Sequence, residues 1–417
     1  MSTIHIIGGN KLEGKIFVQG SKNAALPILA ASLLTEGIHV FENCPQITDV
    51  TEMLEILREL GAMVWTEQKK LFVKVPDKLN SQIDQKHVIS MRSSVMLLGV
   101  LLSRNGAVCM EYPGGCVIGK RPIDMHIEAL EQLGCKFEHG KNQLCAKVNR
   151  LLGADITLRF PSVGATENVI LAAVKAKGIT IIRGAAREPE IVYLCDFLKK
   201  CGAKIDGEGT DCIQIEGVLQ LKACQYKMPA DRIVSGTYMM CALATKGSIL
   251  LENAPINELL AVQNVLKKMG AVVEVYGKKI MVSYQKPLQA VDVETNVYPG
   301  FPTDLQSPMM VLFSQAKGIG RIKETIYENR FRIVSELKKM GADMQQDSEE
   351  VWVQGPKALY GETVVAKELR GNAALVMAGL IAKGETTVLD CQYVKRGYED
   401  ICRDLRSLGA ILYEDED

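Results

Sequence analysis

Between Pro113 and Asp124 the chain reads PGGCVIGKRPID, a run that sets one thiol among groups able to change its chemistry. Cys116 follows Gly114 and Gly115 and precedes Gly119, so the backbone around it can adopt angles closed to bulkier residues. Lys120 and Arg121 come next, and nearby cations favour a thiolate, lowering the thiol pKa from a reference near ~8.5. Pro122 and Asp124 read as the opening of a helix. A free cysteine is most often a buried packing group. Here no apolar pattern surrounds it, and glycines beside cations favour a reactive thiol on a lid.

Other charges recur at positions that need explaining. Lys22-Asn23, Arg92, Thr166-Glu167, Asp231-Arg232, Asp304 and Arg370 stand at the starts of strongly apolar helical segments. Arg121-Asp124, Arg187-Glu188, Asn329-Arg330 and Lys395-Arg396 stand near the starts of amphipathic ones. Helix N-termini attract anions and disfavour cations. Any one such residue is read as part of a solvated face. Together, Lys22, Arg121, Arg330, Arg370 and Arg396 are expected to line a cleft for a small, multiply charged anion. Asp304, in GFPTDLQSP, is either a helix N-cap contributing ~1 kcal/mol or a group that takes or positions a substrate proton.

The elements that would carry these residues repeat. An apolar helix, a glycine and a strand recur with Gly37, Gly106, Gly178, Gly247, Gly318 and Gly384, each glycine read as a left-handed helix cap. Each is answered by an amphipathic helix ending at Gly61, Gly134, Gly202, Gly270, Gly341 or Gly409, then a strand pair. The unit is βαβαββ, written six times and longer than the ~20–50 residues usual for a solenoid. The sixth copy stops after AILYEDED, and the pattern of IHIIGGNKLEGKIFVQG supplies what it lacks. Ile4 to Ile7 are therefore expected to pair with Ala410 to Tyr413. Three repeats fall in each of two domains: residues 21–229, carrying the Cys116 loop, and residues 1–20 with 230–417.

Composition narrows the function. The 417 residues carry 49 basic and 49 acidic side chains, so no global field favours nucleic acid or an anionic membrane. Aromatic residues are only 6%, which weakens any base-stacking role. No stretch approaches the ~20 apolar residues of a membrane span, and the N-terminus lacks a signal-like apolar run. Twelve cysteines without a C-x-x-C pair, and only five histidines, show no metal-ligand spacing. Unpaired thiols in a reducing cytoplasm are expected, with no metal and no cofactor.

The motifs SKNAALP, MRSS, PGGCVIGKRPID, SVGAT, REPEIV, FPTD, ETIYENRF, ELR and RGYE occur in the order found in the UDP-N-acetylglucosamine enolpyruvyl transferases, and the whole chain resembles that family. The wider family of enolpyruvyl transferases includes EPSP synthase, which lacks the cysteine loop. The resemblance implies two similar domains, each an inside-out α/β barrel of three repeats. It implies transfer of the enolpyruvyl group of phosphoenolpyruvate to the 3′-hydroxyl of UDP-N-acetylglucosamine, with loss of phosphate, in the first committed step of peptidoglycan synthesis. Cys116 matches the proton donor that also forms an adduct with phosphoenolpyruvate and is alkylated by fosfomycin. Lys22, Arg121 and Arg396 match phosphate-side cations, Arg330 and Arg370 the carboxylate-side ones, and Asn23 lies beside them. Asp304 matches the residue facing the 3′-hydroxyl. Asn23, Arg92, Arg121, Pro122, Ile123, Asp124, Met125, Ser162, Val163, Gly164, Asp304 and Ile326 match positions contacting the nucleotide sugar.

Two positions depart from the pattern. Glu368 replaces the usual Asp before Leu-Arg, and Phe160-Pro161 stand where some members carry a Lys. Transfer to shikimate 3-phosphate, a catalytically silent nucleotide-sugar sensor and a nucleic-acid-binding repeat are the competing readings. The cysteine loop opposes the first, the retained cations and Asp304 the second, and the neutral charge the third.

Overall fold

The computed structural model describes residues 2–83, 91–112, 122–140 and 142–416. Cys116 and Arg121, together with Lys120 and the glycines of the thiol loop, lie outside the described residues.

Two units emerge, each with its own apolar core. The described part of one comprises residues 20–112 and 122–229; that of the other comprises residues 2–19 and 230–416. The former carries α1 (Lys22–Ser32), α2 (Thr48–Glu59), α3 (Leu97–Asn105), α4 (Asp124–Gln132), α5 (Val163–Ala173) and α6 (Pro189–Lys200). The latter carries α7 (Arg232–Ala244), α8 (Leu260–Lys268), α9 (Gln306–Phe313), α10 (Val334–Lys339), α11 (Leu369–Ile381) and α12 (Ile401–Ser407).

Odd and even helices differ as their sequences require. The odd ones are apolar nearly all round and become the centres of their units; α11 is buried from Leu369 through Leu380. The central helices α7, α9 and α11 pack against one another. Even helices bury one stripe, as α2 does with Val50, Met53, Ile56 and Leu57. No helix among the described residues is long and apolar enough to cross a membrane.

Around the central helices lie small mixed sheets. Most antiparallel sets of three strands are extended by a short parallel strand, as Asp155–Thr157 extends Ile179–Arg183. In the second repeat the described residues give three strands plus a parallel bridge from Gln82 to Cys109. Residues 225–227 return to pair with Gly37–Glu42, so the last connection of that unit completes its first sheet.

Ser2–Ile7 lies between Glu385–Leu389 and Ile411–Glu416, antiparallel to both. Ile4 faces Glu414 and Ile6 faces Leu412, and both isoleucines are buried while Ile7 is exposed. That period-2 alternation fixes the register, since a one-residue slip would turn both side chains outward. Glu13–Phe17 then runs parallel to Ser248–Glu252 in the next sheet.

Three expectations need correction. Of the glycines after the apolar helices only Gly106 is itself the left-handed cap, with φ of 71°; Gly37, Gly178, Gly318 and Gly384 also take positive φ, of 91° to 108°, but stand beyond the cap, at or just before the following strand. At Gly247 the left-handed residue is its neighbour Lys246, and Gly247 is required because a Cβ there would lie 2.0 Å from the Leu12 carbonyl oxygen. Arg330 and Arg396 do not begin helices: α10 starts at Val334, and Arg396 ends the 3-10 turn Cys391–Arg396 ahead of α12. Nor are all cysteines unpaired. Cys109 and Cys145 stand directly opposite across antiparallel strands and are joined as a disulfide.

Candidate active site

Residue 304 begins the site because of how its segment is built. Pro302 is extended, Thr303–Leu305 forms one 3-10 turn, and α9 follows at once. The Asp304 carboxylate is not spent on capping that turn. Arg330 Nη2 donates to its Oδ1, and Arg370 donates to Oδ2 from Nε at 3.1 Å and Nη2 at 2.8 Å. Both arginines are almost fully buried, whereas the aspartate side chain is 25% exposed.

Burial alone would push the Asp304 pKa up. The Arg370 and Arg330 guanidiniums outweigh it and, with Arg232, hold the carboxyl well below the usual carboxylate range. Such a carboxylate is a weak proton acceptor at neutral pH and a strong acceptor of hydrogen bonds. Two guanidiniums converge on this one carboxylate, and guanidinium groups suit an anionic ligand.

A second layer sets the arginines. Arg330 Nε donates to Thr303 Oγ1 at 3.2 Å, and the Thr303 hydroxyl donates to Glu324 Oε2 at 2.8 Å. The other oxygen of Glu324 accepts the backbone N–H of Ile326 at 2.8 Å and of Tyr327 at 3.2 Å. One buried carboxylate thus orients the hydroxyl that meets Arg330 and fixes the backbone at Ile326. Arg370 is set by Glu368, the N-cap of α11, whose Oε2 accepts the Arg370 N–H at 2.8 Å and whose Oε1 accepts that of Gly371. The longer side chain reaches both N–H groups. Gly371 leaves room for it, because a Cβ there would meet Glu368 Oε1 at 2.3 Å.

Lys22 belongs to the other unit and opens α1 behind the N-cap Ser21. Its Nζ lies 2.7 Å from Asp49 Oδ2, and both side chains are largely buried. Asp49 occupies the first turn of α2, where a carboxylate is favoured. The partner explains a cation at the start of α1. Asn23 follows it, half-buried, and Arg92 opens the 3-10 turn Arg92–Met96 leading into α3.

Within that unit the segments expected to meet the nucleotide sugar are tied together. Ser162 caps α5, accepting the Ala165 N–H at 3.3 Å, and Val163 and Gly164 begin the helix. Gly164 approaches His126 of α4 so closely that a Cβ would lie 2.9 Å from His126 Cε1. Asn168 Nδ2 is 2.7 Å from His126 Nδ1, and its Oδ1 accepts the Gly99 N–H at 2.8 Å. Pro122 and Ile123 lead into α4, Asp124 opens it, and Met125 is half-buried. Arg159 pairs with Asp124 and, at 2.7 Å, with Glu128. A cation therefore stands one residue before Phe160, adjacent to the position where a Lys was missed.

Sequence reasoning named Asp304, Arg330 and Arg370, and the fold brings these three together. It missed Thr303, Glu324, Asp49, His126 and Arg159. Only Asp49 left a signal, as an acid in the first turn of an amphipathic helix. Arg396 and Ile326 lie in the same unit as the Asp304 cluster.

Repeated α/β units around buried helices, with a carboxylate clamped by arginines, define an enolpyruvyl transferase fold. The chain belongs to the EPSP synthase family: the model of EPSP synthase (3-phosphoshikimate 1-carboxyvinyltransferase) matches residues 6–405. Within it, the UDP-N-acetylglucosamine 1-carboxyvinyltransferase of Oleidesulfovibrio alaskensis is 44% identical over 410 residues, 98% of each chain. UDP-N-acetylglucosamine 1-carboxyvinyltransferase 1 of Symbiobacterium thermophilum is 45% identical over 414 residues, 98% of this chain and 94% of that one. Among solved structures, the enolpyruvyl transferase NikO from Streptomyces tendae superposes with a TM-score of 0.91 at 23% identity over 99% of both chains. EPSP synthase from Acinetobacter baumannii gives 0.78 at 18% identity over the full length of both. These two likenesses establish the shared inside-out α/β fold.

Proposed function

We infer that this chain transfers the enolpyruvyl group of phosphoenolpyruvate to the 3′-hydroxyl of UDP-N-acetylglucosamine and releases phosphate, the first committed step of peptidoglycan synthesis. The observation that carries the reading is 44–45% identity, over nearly the full chain, to relatives named for that carboxyvinyl transfer. No redox change is involved, so no redox cofactor is required. The same reading assigns the reaction to the cytoplasm.

The chemistry is addition followed by elimination. The sugar oxygen bonds to C2 of phosphoenolpyruvate as a proton reaches C3 and the hydroxyl loses its own. A proton then leaves C3, the double bond re-forms, and the C2–O bond to phosphate breaks. Cys116 is assigned the proton delivered to C3 and the covalent adduct, and it is the atom fosfomycin alkylates. Lys22, Arg121 and Arg396 take the phosphate, with Asn23 beside them, and Arg330 and Arg370 take the carboxylate. Asn23, Arg92, residues 121–125, residues 162–164 and Ile326 hold the nucleotide sugar.

For Asp304 the low pKa favours one of its two expected roles. A carboxylate held ionised by two arginines orients the 3′-hydroxyl by accepting its hydrogen bond, more readily than it retains the proton. Phosphate release measured with phosphoenolpyruvate and either UDP-N-acetylglucosamine or shikimate 3-phosphate tests the reading. Release is expected only with the nucleotide sugar; release only with shikimate 3-phosphate would replace it with the sister activity.

A further inference from the structure

Apart from that chemistry, His39, Cys201 and Cys224 converge within the unit of residues 20–112 and 122–229. One imidazole nitrogen and two sulfurs lie within 4.8 Å of one another. We propose that these three residues form a metal site for a soft divalent ion of the zinc(II) class, bound by two thiolates and one imidazole.

Three separate elements bring the donors together. His39 sits on the strand Gly37–Glu42, Cys201 caps the C-terminus of α6, and Cys224 immediately precedes the strand Gln225–Lys227. That strand runs parallel to the His39 strand, so two of the donors ride on one paired ladder. The ligands lie far apart in sequence, which is why no short-range spacing revealed them.

The distances suit an ion. The sulfurs are 3.5 Å apart. A disulfide would need ~2.05 Å, whereas two sulfurs bound tetrahedrally at ~2.3 Å to one zinc stand ~3.8 Å apart. Sulfur and imidazole donors together are the set that selects zinc over magnesium or calcium.

The histidine is oriented as a ligand would be. Thr35 Oγ1 lies 2.5 Å from His39 Nε2 and 3.3 Å from the Ser32 carbonyl oxygen. With the hydroxyl proton given to Ser32, Thr35 accepts the Nε2–H, and the Nδ1 lone pair is left on the side of Cys224. That lone pair accepts the Cys224 backbone N–H at 3.4 Å, a long hydrogen bond that an ion would replace. A hydrogen bond at the far ring nitrogen is the usual support of a metal-binding histidine. Phe41 and Phe197 flank the ring at centroid distances of 5.8 and 5.5 Å and keep the shell apolar. His39 and Cys201 are buried while Cys224 is partly exposed, which gives an entry path and a side for water as fourth ligand. Binding replaces thiol protons, which leave to water, with no change of oxidation state.

The test uses the full chain, reduced and stripped of metal, titrated with cobalt(II) and then zinc(II). One ion per chain is expected, with thiolate-to-cobalt charge-transfer absorption that zinc displaces. Cys201→Ser or Cys224→Ser should abolish that absorption, and His39→Gln should weaken binding on the order of 10-fold or more. Cys212→Ser, at an exposed thiol elsewhere, should leave it unchanged. Should the ligand variants fail to fold, alkylation of the unsubstituted chain decides: zinc should slow modification of Cys224 and not of Cys212. Absorption that is absent, absorption that survives in both ligand cysteine variants, or equal alkylation of Cys224 with and without zinc would each overturn the site.

Discussion

Arg370 gives both Nε and Nη2 to a single oxygen of Asp304, leaving the other oxygen to Arg330. The carboxylate is thus the counter-charge of two buried guanidiniums. Asp304→Asn keeps the shape and removes the charge, and uncovering a buried pair costs ~3–5 kcal/mol. Turnover is expected to fall ~100-fold or more as the arginines and the acceptor hydroxyl lose their alignment. The pH dependence follows from the lowered pKa. Stability from Asp304 is present above the unfolded value near ~3.9 and is lost as pH falls below it. The stability gap between the two proteins in urea titrations should therefore shrink below about pH 4. A gap constant from pH 7 to pH 3 would contradict this.

Glu368 and Gly371 form a matched pair. Glu368→Ala removes the cap of α11 and should cost ~1 kcal/mol while loosening Arg370, raising KM for phosphoenolpyruvate. Gly371→Ala puts a Cβ against Glu368 Oε1 and within 2.5 Å of Ile333 Cγ2, and should destabilise by ~1–3 kcal/mol. Unchanged chemical denaturation in both variants would show that the cap does not hold Arg370.

Glu167 is buried in α5 with its pKa pushed well above the ordinary value, by burial first and then by Glu190 and Glu188. Burial holds on to the proton to higher pH in the folded protein than in the unfolded chain, which ionises it near ~4.3. Its contribution is complete below that value and is lost as pH rises toward the folded pKa. Glu167→Gln does not titrate, so its stability advantage over the unsubstituted protein should grow between pH 4.5 and pH 8. Parallel stability curves over that range would refute the protonated state.

Much of the fold was legible because it depends on short-range pattern repeated six times. Gly61, Gly134, Gly202, Gly270, Gly341 and Gly409 all take φ between 96° and 106°, as expected of glycines closing equivalent amphipathic helices. Ile4 to Ile7 could be matched to the C-terminal strand from the repeat pattern, but they pair with Ile411 to Glu414, one residue beyond the expected Ala410 to Tyr413, because register is set by which side chains are buried. The partners were harder to read. Lys22 meets Asp49, and Arg330 reaches Glu324 through Thr303, only once helices and strands pack. The Cys109–Cys145 bond likewise depends on the register of a strand pair, which the cysteine count does not contain.

Cys116 carries the acid role on its sequence context of glycines and cations. Peptide mass mapping after fosfomycin treatment should place one adduct on Cys116 and none on the other cysteines. Cys116→Ser should escape alkylation and turn over slowly, and Cys116→Asp should remain active and resistant, since a carboxylic acid can deliver the proton without opening the epoxide. Alkylation at another cysteine with Cys116 unmodified would end the assignment.

Mass analysis of the nucleotide sugar after incubation with phosphoenolpyruvate and enzyme tests the transfer itself. The expected product is UDP-N-acetylglucosamine enlarged by one enolpyruvyl group, formed in step with an equal amount of free phosphate. Phosphate appearing while the nucleotide sugar keeps its original mass, or an unchanged sugar beside a modified shikimate 3-phosphate, would contradict the assignment.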